Sequence, residues 1–122
     1  MAYYYVLFDR DSDTSLAFLG LGPEYVKTSG MSYFTLEAHI SYLRELKPSD
    51  QVRIATQILD FDSKRLHYVQ TMSHADEGWV ACVTENIVMH VNLAAKKSSP
   101  FPADVLERIK AVHEAHKNRR VP

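Results

Sequence analysis

With a single cysteine, Cys82, the chain can form no internal disulfide and no cysteine zinc site. Cys82 stands in the apolar run Trp79-Val80-Ala81-Cys82-Val83, which gives it a packing role. Glycine is scarce, and the four present form neither a phosphate-binding loop nor a dinucleotide fingerprint. No Gly-x-Ser-x-Gly occurs, so nucleophilic serine chemistry has no support. Neither sign of charge dominates: the formal net charge is −1, which gives no basis for broad binding to phosphate backbones, and no nucleic-acid partner is expected. Lys117, Arg119 and Arg120 near the C-terminus read as a solvated end. No apolar run approaches a membrane span, and the N-terminus has no basic region or signal-like stretch. A protein of the reducing cytoplasm, away from membranes, is the expectation.

What is present is an ordinary globular composition, 46% hydrophobic and 24% charged, over 122 residues, enough for one domain with a real core. Tyr4, Leu7, Phe8, Leu16 and Leu19 recur at helical spacing, which predicts a helix over 2–19 with Asp9, Arg10, Asp11 and Asp13 on its polar face. Gly20, Gly22 and Pro23 stop it, and a short helical turn over 23–29 closes at Gly30. From Ser32 to Ile54 apolar and polar side chains alternate, pause at Lys47-Pro48-Ser49-Asp50 and alternate again, which predicts a strand, a turn and a second strand. On the first, Phe34, Leu36, Ala38, Ile40 and Tyr42 point one way, and Tyr33, Thr35, Glu37, His39 and Ser41 the other. Further strands follow at about 50–60, 64–73 and 79–92, with turns at Asp60–Ser63 and Asp76-Glu77-Gly78. Pro100 and Pro102 break the chain, and a last helix over about 103–117 carries the stripe Val105, Leu106, Ile109 and Val112. The order predicts an α+β domain: residues 1–30 helical, 31–93 an antiparallel sheet and 102–118 a C-terminal helix.

Glu37 and His39 lie two apart on a strand and leave the same face, where a carboxylate beside an imidazole can serve as a general-base pair or hold a water. The alternative is that both face solvent or a subunit interface. Asp9, Asp11 and Asp13 could supply a carboxylate base or form a solvated face. Lys64, Arg65 and His67 are close in the third strand and could hold a phosphate, or could be a charged hairpin end. His113 and His116 are three apart, a spacing able to bind metal, but no third ligand stands near them, and no metal is expected.

Leu19-Gly20, the strand Glu37-Ala38-His39-Ile40-Ser41-Tyr42-Leu43-Arg44 and the turn into Asp50-Gln51-Val52 resemble the hotdog-fold acyl-CoA thioesterases, in their 4-hydroxybenzoyl-CoA thioesterase-like group. The Glu-x-His-Ile block and Lys64-Arg65-Leu66-His67 are similar to the thioesterases linked to carnitine and betaine breakdown. The resemblance covers residues 2–93, and its order and spacing carry it rather than any one motif. It implies a long central helix wrapped by an antiparallel sheet, whose central hairpin is the strand pair around Lys47–Asp50. It further implies a homodimer or dimer of dimers with sheets joined edge to edge, and acyl-CoA in a groove between subunits. Water activated by a carboxylate would hydrolyse a small or medium acyl-CoA, with a helix N-terminus holding the oxyanion and no cofactor beyond the substrate's own CoA. On that footing Glu37 and His39 position water or substrate, and Lys64, Arg65 and His67 contact CoA.

In such a family a first strand precedes the central helix, and the loop after it carries an Asp-x-x-Gly-His-Met-Asn-like motif that supplies the main carboxylate. This chain begins at Met1-Ala2-Tyr3-Tyr4-Tyr5, already at the helix. The expectation is an internal methionine, an in-frame Asp and Gly-His-Met-like loop upstream, and an exposed sheet edge if they are missing. Two other functions are open on the residues: a hotdog module that binds acyl-CoA without hydrolysing it, or is inactive without that Asp, and a cone-shaped helix-on-sheet fold with isomerase or dehydratase activity.

Overall fold

The computed structural model describes residues 7, 8, 10, 16–21 and 23–117. Of the first predicted helix, residues 7, 8, 10 and 16–18 are helical; the rest of 2–19, including Tyr4 and the acids Asp9, Asp11 and Asp13, lies outside the described residues. The helix stops at Gly20 in a Schellman turn. Leu21 N–H donates to the Leu16 carbonyl (2.8 Å) and Gly20 N–H to that of Ala17 (3.0 Å), with Gly20 at φ +91°. A side chain at Gly20 would also crowd the Arg108 guanidinium at 3.2 Å. The chain then runs through α1 (Pro23–Ser29), β1 (Met31–Tyr42), β2 (Val52–Phe61), β3 (Arg65–His74), β4 (Val80–Asn92), the short β5 (Lys97–Ser98) and α2 (Ala103–His116).

The sheet is antiparallel in the order β1-β4-β3-β2, with β5 paired to the end of β4. This corrects one expectation. β1 and β2 are not a hairpin; they occupy opposite ends of the sheet. A turn does form at Lys47–Asp50, where Asp50 N–H donates to the Lys47 carbonyl and Lys47 N–H to the Asp50 carboxylate, both at 2.9 Å. But residues 43–46 ahead of it are not strand: Leu43 and Arg44 both donate to the Ala81 carbonyl at 2.9 and 3.1 Å, and Leu46 packs into the core. The connection is therefore too long for a tight hairpin and crosses to the far edge.

A bulge at Leu36 corrects a second. Pairing moves from Thr35↔Val88 to Glu37↔Ile87, so one extra residue shifts the alternation. Tyr33 packs on the core with Ile40, while Phe34 joins the face of Glu37 and His39 and is 61% exposed.

Two hydrophobic clusters cover one face of the sheet. Leu16, Leu19, Leu21, Ile58, Leu66, Tyr68, Val88, Phe101, Val105 and Ile109 form the larger; Phe8, Met72 and Cys82 form the smaller. The predicted α2 stripe is the one that packs: Val105 and Ile109 are buried, with Leu106 and Val112 against them. The buried Gln70 side chain ties sheet to helix, its Nε2 donating to the Phe8 carbonyl at 3.1 Å. Ile109 is completely buried, so Ile109→Ala is expected to lower unfolding stability by about 2–5 kcal/mol through lost burial and a residual cavity. Urea unfolding checks this, and a loss below about 1 kcal/mol would mean that α2 is not fastened to the core.

Candidate functional site

The sheet face turned away from the helices carries most of the chemistry. Glu37 Oε1 and His39 Nε2 lie 3.6 Å apart, with side chains 60% and 72% exposed. Directly across from His39 on β4 is Glu85, and across from Glu37 is Ile87. Glu85 reaches the other way: its Oε1 accepts from His67 Nε2 at 2.6 Å, joining β4 to β3. Two carboxylate–imidazole pairs thus stand side by side across three strands. Each can relay or hold a proton, but a hydrated pair is a weak base until water is excluded from it.

The β2–β3 turn bounds this row. A cavity of about 260 Å³ there is lined by Asp60, Phe61, Asp62, Arg65, His67 and Ile87. Asp62 builds the turn: its Oδ1 accepts from the backbone N–H of Lys64 (2.8 Å) and Arg65 (2.7 Å), and its Oδ2 from Arg65 Nε (2.8 Å). The Lys64 N–H above all, then those of Arg65, holds the Asp62 carboxyl below its ordinary range, against the opposing effect of burial. Lys64, Arg65 and His67 do not converge. Lys64 turns toward β5, its Nζ at 3.4 Å from Ser98 Oγ, while Arg65 is held by Asp62 and His67 by Glu85. Among the described residues Lys64 has no carboxylate within ion-pair distance, so of the three side chains it is the most open to a phosphate.

His90, His113 and His116 make structural contacts. His90 is buried; Tyr25 O–H donates to its Nε2 at 2.7 Å, and its Nδ1–H donates to the Ser99 carbonyl at 2.9 Å. Both nitrogens are satisfied, in one tautomer, and the ring ties α1 and the approach to α2 onto β4. His113 and His116 face the β2 backbone, with His113 Nε2 at 3.2 Å from the Leu59 carbonyl and His116 Nδ1 at 3.0 Å from Ile58 N. Among the described residues no group of three His, Cys, Asp or Glu side chains is placed to hold a metal ion. Cys82 is buried, and burial pushes its thiol up, away from the nucleophilic thiolate. Among the described residues no helix is long and apolar enough to cross a membrane. Sequence reading missed Glu85, because only the β1–β4–β3 register brings it between His39 and His67.

The chain matches the family model described as "Thioesterase-like superfamily" over residues 1–109. It is 36% identical to a betainyl-CoA thioesterase of Pseudomonas aeruginosa, over 99% of this chain and 76% of that protein. It is 35% identical to an L-carnitine dehydrogenase/betainyl-CoA thioesterase of Rhizobium meliloti, covering 98% of this chain and 24% of that protein. In structure it is similar to a Staphylococcus aureus protein solved in complex with CoA, with a TM-score of 0.93 at 28% identity, over 99% of this chain and 76% of that one.

The Asp62 turn has a pH signature. Its folded-state carboxyl titrates below the unfolded one, so its stabilisation is complete above the ordinary carboxylate range near about 4 and is lost as pH falls through the folded value. Asp62→Asn is expected to flatten the acid side of the stability profile, measured by thermal unfolding between about pH 3 and pH 7. An acid limb as steep as the wild type's would locate the proton uptake elsewhere.

Proposed function

The chain belongs to the thioesterase-like superfamily, and from that premise we propose that it hydrolyses a small or medium acyl-CoA, water and thioester giving the free acid and CoA. The likeness to the P. aeruginosa protein, running over 99% of this chain, carries the reading, and the name of that relative makes betainyl-CoA the first substrate to try. The helix-backed antiparallel sheet is the hotdog fold, shared with thioesterases of much lower identity. The CoA held by the S. aureus neighbour supports acyl-CoA as the ligand. Water attacks the thioester carbonyl, the oxyanion collapses, and the CoA thiolate leaves.

Within this proposal Glu37 and His39 position water or substrate rather than drive the reaction, in keeping with their exposure. Lys64 steadies a CoA phosphate, with Arg65 and His67 bordering the same end of the sheet. The protein works in the cytoplasm, and the substrate brings the only coenzyme.

The working form in this proposal is at least a homodimer. Among the described residues β1 has no strand on its far side, and exposed Leu36, Tyr42 and Leu43 lie on or beside it. A long apolar edge of this kind calls for a partner, and a second β1 supplies one. Sedimentation equilibrium at micromolar concentration is expected to give a dimer or its multiple; a monomer throughout would remove the edge-to-edge interface.

A non-catalytic acyl-CoA-binding module is the second reading, favoured by the exposure of Glu37 and His39, whose side chains are 60% and 72% exposed. Thiol release over an acyl-CoA panel separates the two. Turnover of at least one short acyl-CoA is expected, with Glu37→Gln lowering kcat/KM by about tenfold or more. Binding without turnover supports the module, and an unchanged Glu37→Gln enzyme removes the role given to that residue.

A further inference from the structure

The end of α2 meets β2 at a break in the sheet. Pairing passes from Ile58↔Tyr68 to Asp60↔His67, leaving Leu59 as the extra residue of a bulge. Three contacts close over it. Ile58 N–H donates to His116 Nδ1 at 3.0 Å, the Leu59 carbonyl accepts from His113 Nε2 at 3.2 Å, and Gln57 Nε2 donates to the His116 carbonyl at 3.4 Å. The Phe61 ring meets that of His113 edge-on, with centroids 5.2 Å apart.

The two histidines answer to opposite requirements. A carbonyl only accepts, so His113 carries its proton on Nε2, and a second proton on Nδ1 leaves that bond intact. A backbone N–H only donates, so Nδ1 of His116 must be bare. Imidazolium carries hydrogen on both nitrogens; protonating His116 sets donor against donor at Ile58. We propose that this contact is a proton-operated latch: acidification protonates His116, frees the last turn of α2 from β2, and uncovers that edge of the sheet.

The rest of α2 stays in place, because Val105 and Ile109 are buried in the core. What opens is the backbone of a terminal strand, the part of a sheet most prone to add a foreign strand. Among the described residues the charged side chains on the elements in contact are few. β2 brings Arg53 and Asp60, and α2 brings Asp104, Glu107, Lys110 and Glu114, with Lys117 just past its end; Arg108 of α2 sits beside Gly20. Lys110 pairs with Glu107 at 3.6 Å and Lys117 with Glu114 at 3.9 Å, so these four α2 charges are met within the helix. Arg119 and Arg120 follow in the sequence and lie outside the described residues.

Amide hydrogen exchange on the full chain tests the latch, read as a protection factor so that the intrinsic pH dependence drops out. A free imidazole titrates near about 6.5 and the docked end excludes one proton, so protection at Ile58 is expected to fall about tenfold between about pH 7.5 and pH 5.5, with Gln70 in β3 unchanged. His116→Asn offers a side-chain carbonyl to the same N–H and cannot titrate there, so its protection should hold constant, whereas His113→Gln should keep the fall. Equal wild-type protection at both pH values overturns the proposal, as does a fall in His116→Asn as large as the wild type's. If His116→Asn folds poorly, seen as lost protection at Gln70, the nitrogen chemical shift of wild-type His116 decides: a bare Nδ1 at about pH 7.5 supports the latch and a protonated one overturns it.

Discussion

A backbone N–H or carbonyl released from a β-ladder must find another partner, and in this protein that obligation fixes how the helices and crossings attach to the sheet. The pairing slips between β3 and β4 with Ala81 as the extra residue, and the Ala81 carbonyl collects the N–H groups of Leu43 and Arg44, which starts the crossing from β1 to the far edge. The pairing slips again at Leu59, and the groups freed there are taken by two histidines of α2. The irregular points of the sheet are thus its points of attachment. Each net hydrogen bond is worth only about 1 kcal/mol, but leaving such a group buried and unpaired costs more. That asymmetry makes the irregularities hold.

The third slip, at Leu36 on β1, shapes the functional face. By reversing the alternation halfway along the strand it lets Tyr33 and Ile40 both serve the core while Glu37 and His39 stand on the opposite face. That face then brings Glu85 and His67 into line with them from β4 and β3. The same register consumes charge. Arg65 is paired with Asp62 in its own turn and His67 is hydrogen-bonded to Glu85, while Lys64, on the β5 side, has no carboxylate within ion-pair distance among the described residues. A row of acids and bases exposed on an open sheet face is a surface for positioning rather than a closed reaction chamber. Strong catalysis in such a protein depends on groups that a partner or a bound substrate brings against it.

Periodicity made the elements legible. The amphipathic stripe Val105, Leu106, Ile109 and Val112, the stop at Gly20 and the strand alternation each express a local rule; β2, β3, β4 and α2 stand within a residue or two of their expected places, while β1 ends at Tyr42, short of the alternation that ran on to Lys47. The residues that carry the thioesterase resemblance were equally visible. What periodicity could not show was order. The alternation around Lys47–Asp50 has the form of a hairpin, yet β4, long and apolar, pairs with β1 and β3 and sends β2 to the other end. A one-residue bulge at Leu36 leaves no mark in a pattern of period two until register is known. The spacing of His113 and His116, suited to a metal, serves backbone capping because their target is an irregular strand from another part of the chain.

By itself, then, the sequence determined the local conformations, the apolar stripes and the family, because each depends on neighbours within a few positions or on the order of residues along the chain. Only the tertiary structure decided which strands lie side by side, which carboxylate meets which imidazole, and which basic side chains meet a carboxylate. Those outcomes depend on long-range register and on where freed backbone groups find partners, and both are set by pairings between residues far apart in the chain.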